Sequence, residues 1–343
     1  MWTAEEGKLR GFGAAARTRI DMARRRFLNF MDFVSPVFRD ASRRAVLVIP
    51  IVLGMAAAGC SHRSTPAPVE DTQTSGRISL VCASEAHALI DHERRAFEAL
   101  YPQASFEVRA GTSREAIRQL FAAQADLAVI TRDLAPEERA AAVRGKLDLE
   151  GYRFARDAVV IVVHAENPVQ NLTLEEVRRI YEGDVKSWRD FGGRDAPIVP
   201  VVQPGESDIT EYFMLQVMSG SPIQARSLTA AGDSEAVAAV AARPGAVAYV
   251  SLAWADRGAR ALRLAPIKGL SYWKPDLEAV YRGDYPLTRF FSLYVRASGR
   301  KLANGLITFV TSMDGQRLVQ ESGLVPTAVP VRFVRRSPLL GAH

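Results

Sequence analysis

Apolar positions along the chain follow two periods in alternation, and their order predicts an α/β fold. "RISLVCA", from Arg77 to Ala83, is an apolar run of strand length. "EAHALIDHERRAFEALYP" follows with a helical period: Ala88, Leu89, His92, Ala96, Phe97 and Leu100 share one stripe, and Pro102 ends it. "ASFEVRA" alternates as a strand does. "SREAIRQLFAAQ" is a helix with Ile117, Leu120 and Phe121 on one face, "DLAVIT" is an apolar strand, and "PEERAAAVRG" is a helix with Pro136 in its first turn. Strand, helix, strand, helix, strand at this spacing predicts an open, mostly parallel sheet covered by helices.

The pattern continues through the second part. "DAVVIVVH" is a long apolar strand whose length suits a segment crossing between domains. In "NLTLEEVRRIYEG", Thr173 with Glu176 three residues on forms a capping box. "APIVPVV" is a strand feeding the turn "QPGESDIT". "SEAVAAVAARPGAVAYVSLAWA" predicts helix, Pro-Gly turn and strand. "YPLTRFFSLYVR" predicts a strand, and "LANGLITFVTSMDGQRLVQESGLVP" one long amphipathic helix ending at Gly323. No internal repeat is present.

The amino-terminal stretch breaks this pattern. "RDASRRAVLVIPIVLGMAAAGC" has a positive segment, an apolar run from Ala45 to Ala58, then small residues and Cys60. The run is shorter than the roughly 20 residues of a membrane span and has the length of a signal-peptide core. "AAGC" resembles a bacterial lipobox, which makes Cys60 the expected lipid-bearing first residue of the mature protein. "ARRRFLN" and "SRRAVLV" leave the export route open between the general and twin-arginine paths. "SHRSTPAPVEDTQTSG" is polar and proline-bearing and is expected to be a flexible tether.

Charge changes the picture only at the amino terminus. The chain of 343 residues carries a formal charge of +6, but residues 1–59 hold ten Lys/Arg against five Asp/Glu, so the remainder carries only +1. The body therefore gives no charge-based case for nucleic acid. With Cys60 acylated, Cys82 stands alone and no intrachain disulfide forms. Cys/His metal spacings are absent, as are the nucleophile-elbow, zinc-protease and P-loop motifs, so neither a metal, a cofactor nor an enzyme activity is expected.

Candidate chemistry sits at four strand-to-helix junctions, "CASEAH", "AGTSREA", "DLAVITRD" and "QPGESDIT". In open α/β sheets ligands bind beyond the carboxyl ends of strands, where helix amino termini and hydroxyls donate to an anion. Ser and Thr at such positions are also ordinary N-caps.

"NPVQNLTLEEVRRIYEGDVKSWRDFGGRDAPIVPV" resembles the periplasmic phosphate-binding proteins of ABC importers, whose segment reads N-P-x-x-x-L-T-x-x-x-L-x-x-I-(F/Y)-x-G-x-I-x-x-W before an I-x-P-V strand. "RPGAVAYVSLAWA", "YPLTRFFSLYV" and "FVTSMDGQRLVQESGLVP" resemble later parts of that family, and "YPQASFEVRAGTSREAIRQLFAAQADLAVITRDL" its early half. The resemblance implies a two-lobed periplasmic-binding-protein fold of class II type, each lobe a mixed sheet flanked by helices. The expected division is leader 1–59, tether 60–76, lobe one from 77–160 and 283–332, lobe two 161–282, and tail 333–343. It implies a periplasmic, lipid-anchored monomer that captures inorganic phosphate or a related oxyanion between its lobes and delivers it to an ABC importer permease.

The ligand residues implied are Ser84, Ser113, Asp126, Arg132, Ser207 and Asp208, with Asp126 accepting the proton of hydrogen phosphate. Two junctions depart from the family. Its first loop reads G-S-x-T, and here Ser84 is retained while Glu85 stands at the threonine. Its fourth reads R-x-x-G-S-G-T, and here Gln203 replaces the arginine, Ser207 is kept, and Asp208 and Ile209 replace Gly-Thr. Two like charges 4 Å apart repel by roughly 4 kcal/mol at an effective dielectric of about 20, so added carboxylates oppose a dianion. The alternative expectation is therefore a family member with an altered or empty site, acting as a sensor, scaffold or surface interaction protein.

Overall fold

The computed structural model describes residues 70–327; the leader, Cys60 and the tail 333–343 lie outside them. The chain runs β1 (Gly76–Ala83), α1 (His87–Leu100), β2 (Ala104–Gly111), α2 (Ser113–Phe121), β3 (Leu127–Ile130), α3 (Pro136–Arg144) and β4 (Leu149–Val163). It continues through β5 (Asn171–Thr173), α4 (Leu174–Glu182), β6 (Val199–Val202), α5 (Asp208–Phe213), β7 (Leu228–Thr229), α6 (Asp233–Ala241), β8 (Ala246–Ser251), β9 (Arg260–Ala261) and β10 (Arg263–Ala265). α7 (Leu277–Arg282), β11 (Thr288–Arg296), α8 (Lys301–Thr311), α9 (Met313–Glu321) and β12 (Val325–Pro326) complete it.

The main sheet has the order β2-β1-β3-β11-β4-β8-β6-β7. β1 is parallel to β2 and β3, and β6 is parallel to β7 and β8. β11 and β4 are antiparallel to their neighbours, so the sheet is mixed. β4 joins its two halves. Its residues from Leu149 to Ala158 pair with β11, and those from Val159 to Val163 pair with β8. The unbroken apolar run from Val159 to Val163 is fully buried, as expected of a central strand covered on both faces. Each half has its own core: Leu80, Phe97, Phe154 and Phe291 pack in the first, and Ile161, Tyr181, Phe213 and Tyr249 in the second. The Thr173 capping box forms, with Thr173 Oγ1 accepting from Glu176 N at 3.2 Å and Glu176 accepting from Thr173 N at 2.7 Å.

Three local expectations change. The long carboxy-terminal helix is two helices with a corner at Ser312, whose backbone is extended at φ −73°, ψ 173°. Gly315 permits the corner, because a Cβ there would lie 2.4 Å from Phe309 O. The expected tether ends earlier than residue 76. Asp71 accepts from Lys301 N at 3.0 Å, and the Gln73 carbonyl packs so close to Gly305 that no side chain fits there. Residues 70–75 are thus held on α8.

The inward face of α1 is also rotated. Leu89, Ile90, Glu93 and Phe97 are buried, whereas Ala88, His92 and Leu100 are exposed. The arc centred on Ile90 and Phe97 turns position 93 inward, and its occupant is a glutamate. Neither carboxylate oxygen of Glu93 has a hydrogen-bond partner, and burial pushes Glu93 up to about 9. A carboxyl raised in the folded state holds its proton where the unfolded chain has lost it. Its contribution is fully present below about pH 4.5 and lost as pH rises through about 9. Glu93→Leu is expected to stabilise the protein by about 1–3 kcal/mol at neutral pH, with the gain growing towards pH 9. Chemical denaturation at pH 5, 7 and 9 checks this; a variant no more stable than wild type at pH 9 contradicts it.

Candidate functional site

The carboxyl ends of β1, β2, β3 and β6 meet where the two halves of the sheet face each other. Thr112 caps α2, its hydroxyl accepting from Glu115 N at 3.2 Å. Ser207 caps α5 in the same way, more loosely, at 3.4 Å from Thr210 N. The first residues of each helix, Ser113 and Asp208, then look across the cleft, with the early N–H groups of both helices free to donate.

Two carboxylates of the chain take those donors. Asp208 Oδ2 accepts from Ser113 Oγ at 2.5 Å and from Thr131 Oγ1 at 3.0 Å, and Ser113 N lies 3.1 Å from both carboxylate oxygens. Ser113 Oγ in turn accepts from Thr131 N at 3.0 Å, which aims its proton at Asp208. In the opposite direction, Glu85 Oε1 accepts from Ile209 N at 2.7 Å. Each half thus supplies a carboxylate to the helix amino terminus of the other, where the helix dipole favours negative charge. Arg114 and Arg132 reach Glu211 of α5 at 3.1 and 3.6 Å beside these contacts.

Arg289 of β11 lies beneath. Its Nε and Nη2 donate to Asp157 Oδ2 at 2.9 and 2.7 Å, and Nη2 is 2.7 Å from Glu85 Oε2. Asp157 Oδ1 accepts from Ser251 Oγ at 2.8 Å and Leu252 N at 3.0 Å. Arg289 and Asp157 are buried. Burial opposes the Arg289 charge, but Glu85, Asp157 and Asp233 outweigh it and hold the guanidinium above the ordinary arginine range. Burial pushes Glu85 up to about 7 against the pull of Arg289, and Asp208 and Asp233 add to the rise.

A cavity of about 690 Å³ opens between the halves beside these groups. Six carboxylates line it, from Glu85, Glu115, Glu206, Asp208, Asp233 and Glu235, and no Lys or Arg does. Gln203, standing where the family arginine is expected, donates to Asp233 Oδ1 at 2.8 Å and to the Tyr249 carbonyl at 3.0 Å. The Ser113 and Thr131 donors therefore face a carboxylate of the chain, and the charged side chains around the open volume are all acidic. Among the described residues no group of three or more His, Cys, Asp or Glu could hold a metal ion.

The expected ligand residues separate accordingly. Ser113 and Asp208 meet directly, and Ser84 and Ser207 reach the cavity wall. The Ser84 and Ser207 hydroxyls turn instead to backbone, donating to Gly111 O at 2.9 Å and Pro204 O at 2.8 Å. Arg132 donates to both oxygens of Glu138 at 2.8 Å and does not line the cavity. Asp126 lies elsewhere. It precedes β3, at the amino end of the strand, and accepts from Ser79 N at 2.8 Å. Five residues at about 3.3 Å each put it roughly 16 Å from Thr131 at the cleft end. Strand direction is the signal that identifies Thr131 instead, because the residue after a strand faces the cleft and the one before it does not. Arg289 gives no such signal, since an arginine in an alternating strand ordinarily faces solvent.

A model of the PBP superfamily domain matches residues 67–314, and the chain belongs to that family. Curated relatives include the phosphate-binding protein PstS of Bacillus subtilis (strain 168), 24% identical over 287 residues, covering 82% of this chain and 91% of that protein. The PstS of Pseudomonas aeruginosa is 24% identical over 305 residues, covering 82% of this chain and 93% of that one. Among solved structures, a Clostridium perfringens protein with bound phosphate superposes with a TM-score of 0.64 at 24% identity, over 74% of this chain and all of that one. An ABC-type phosphate transport receptor from Vibrio cholerae gives 0.63 at 22% identity, over 72% of this chain and 99% of the receptor.

Arg289 answers the buried carboxylate of Asp157 and the part-buried one of Glu85, so removing it alone leaves both uncompensated. Arg289→Leu is expected to cost about 3–5 kcal/mol of stability in urea denaturation, and Arg289→Leu combined with Asp157→Leu is expected to recover most of it. A single variant within about 1 kcal/mol of wild type contradicts this role for the guanidinium.

Proposed function

We propose that this protein is the extracytoplasmic solute-binding component of an ABC importer, taking phosphate or a related oxyanion into the cleft between its two halves. The halves act as lobes hinged through β4 and β11, and closure on the ligand presents a different face to the permease. The observation that carries this reading is the cradle itself. Ser113 N, Ser113 Oγ and Thr131 Oγ1 converge on one carboxylate, and a carboxylate and a phosphate offer such donors the same kind of acceptor oxygen. The phosphate-binding relatives support the choice of ligand. A lipid at Cys60 would keep the protein at the outer face of the bacterial membrane, working as a monomer and binding its ligand without transforming it.

The Asp208 contact also favours a second reading, a family member whose altered site takes no free oxyanion and which serves as a sensor, scaffold or interaction protein. Calorimetric titration of the full chain carrying Cys60→Ser with phosphate, sulfate, arsenate and molybdate separates the two. Saturable phosphate binding, weakened roughly tenfold or more by Ser113→Ala, is expected from loss of a charge-assisted hydrogen bond. Absence of heat and of thermal shift with all four anions contradicts the oxyanion reading and leaves the second.

A further inference from the structure

A free anion bound to Ser113 and Thr131 would need the position that the Asp208 carboxylate fills. Asp208 is 3% exposed and is held there by three side-chain and backbone donors from the opposite half, with Glu85 returning the contact to Ile209 N. These bonds span 77 to 124 residues of sequence and cross the cleft. No capping function within α5 requires them, because Ser207 already caps that helix.

We infer that Asp208 is an intramolecular ligand: its carboxylate takes the place of the free oxyanion on Ser113 and Thr131 and holds the cleft shut when no solute is bound. The inference deepens the oxyanion-receptor reading and rests on it for the identity of the competitor. Its mechanical part, the shut cleft, stands on the contacts alone. A tethered group competes at an effective concentration in the millimolar range or above, and free ligand must displace it before docking. Apparent affinity falls by the fraction of molecules in which the cradle is vacant. The same device separates closure from occupancy, since the closed shape exists without solute. Asp208 therefore determines both the affinity of the site and the resting shape of the receptor.

The test pairs a shape measurement with a binding measurement. Dyes at Ala99→Cys and Ala242→Cys, exposed positions on the two halves away from the cleft, report opening by energy transfer in the full chain with Cys60→Ser. Cys82 is buried and does not take label. Phosphate-free wild type is expected to give the high transfer of a closed cleft. Asp208→Gly, and Asp208→Asn as the variant that preserves side-chain volume, are expected to lower it. Phosphate is expected to restore high transfer in both variants and to bind them at least tenfold more tightly than wild type. Equal transfer in phosphate-free wild type and in both variants overturns the inference. Variants that open but neither bind phosphate nor close with it uphold the latch and overturn the phosphate reading instead.

Discussion

Negative charge placed at helix amino termini is the constraint on which the cleft depends. Asp208 and Glu85 occupy opposite walls, and each is drawn across by the early N–H groups of the helix facing it. Exchanged in this way, the two carboxylates join the halves of the sheet across the cleft, beside the ion pairs of Arg114 and Arg132 with Glu211. The geometry is selective about charge. Ser113 and Thr131 donate to a carboxylate of the chain, and the charged residues of the cavity wall are all acidic.

Arg289 makes that exchange affordable in the interior. Two carboxylates near each other in a poorly solvated cleft repel, and a guanidinium fixed between Asp157 and Glu85 offsets the repulsion from below. It sits on β11, which pairs with the first half of β4, while Asp157 also binds Ser251 and Leu252 at the end of β8 from the second half. The charged cluster and the shared strand therefore coincide. Arg289 thereby links the shared strand, through Glu85, to the amino terminus of α5.

Much of this fold was legible in the residue pattern because the evidence for it is local. The Thr173 and Glu176 box, the apolar run of β4 and the strand-helix order of the first half each depend on neighbours within a few positions. What escaped was long-range. Whether Asp208 points into solvent or onto Ser113 is decided by a partner 95 residues away. Nothing local marks Arg289, because its buried partner Asp157 is 132 residues distant. On α1 the buried arc differs by one residue from the apolar stripe, because the helical period tolerates His92 and Glu93 equally and only packing against the sheet chooses between them. Motif position points to Asp126, whereas strand direction gives the cleft-facing place to Thr131.

The most direct measurement of the central claim is a crystal structure determined after exhaustive removal of phosphate. The account predicts a closed cleft with the Asp208 carboxylate within hydrogen-bond distance of Ser113 Oγ and Thr131 Oγ1, and Glu85 on Ile209 N. An open cleft with Asp208 turned to solvent, and water on the Ser113 and Thr131 hydroxyls, would contradict it.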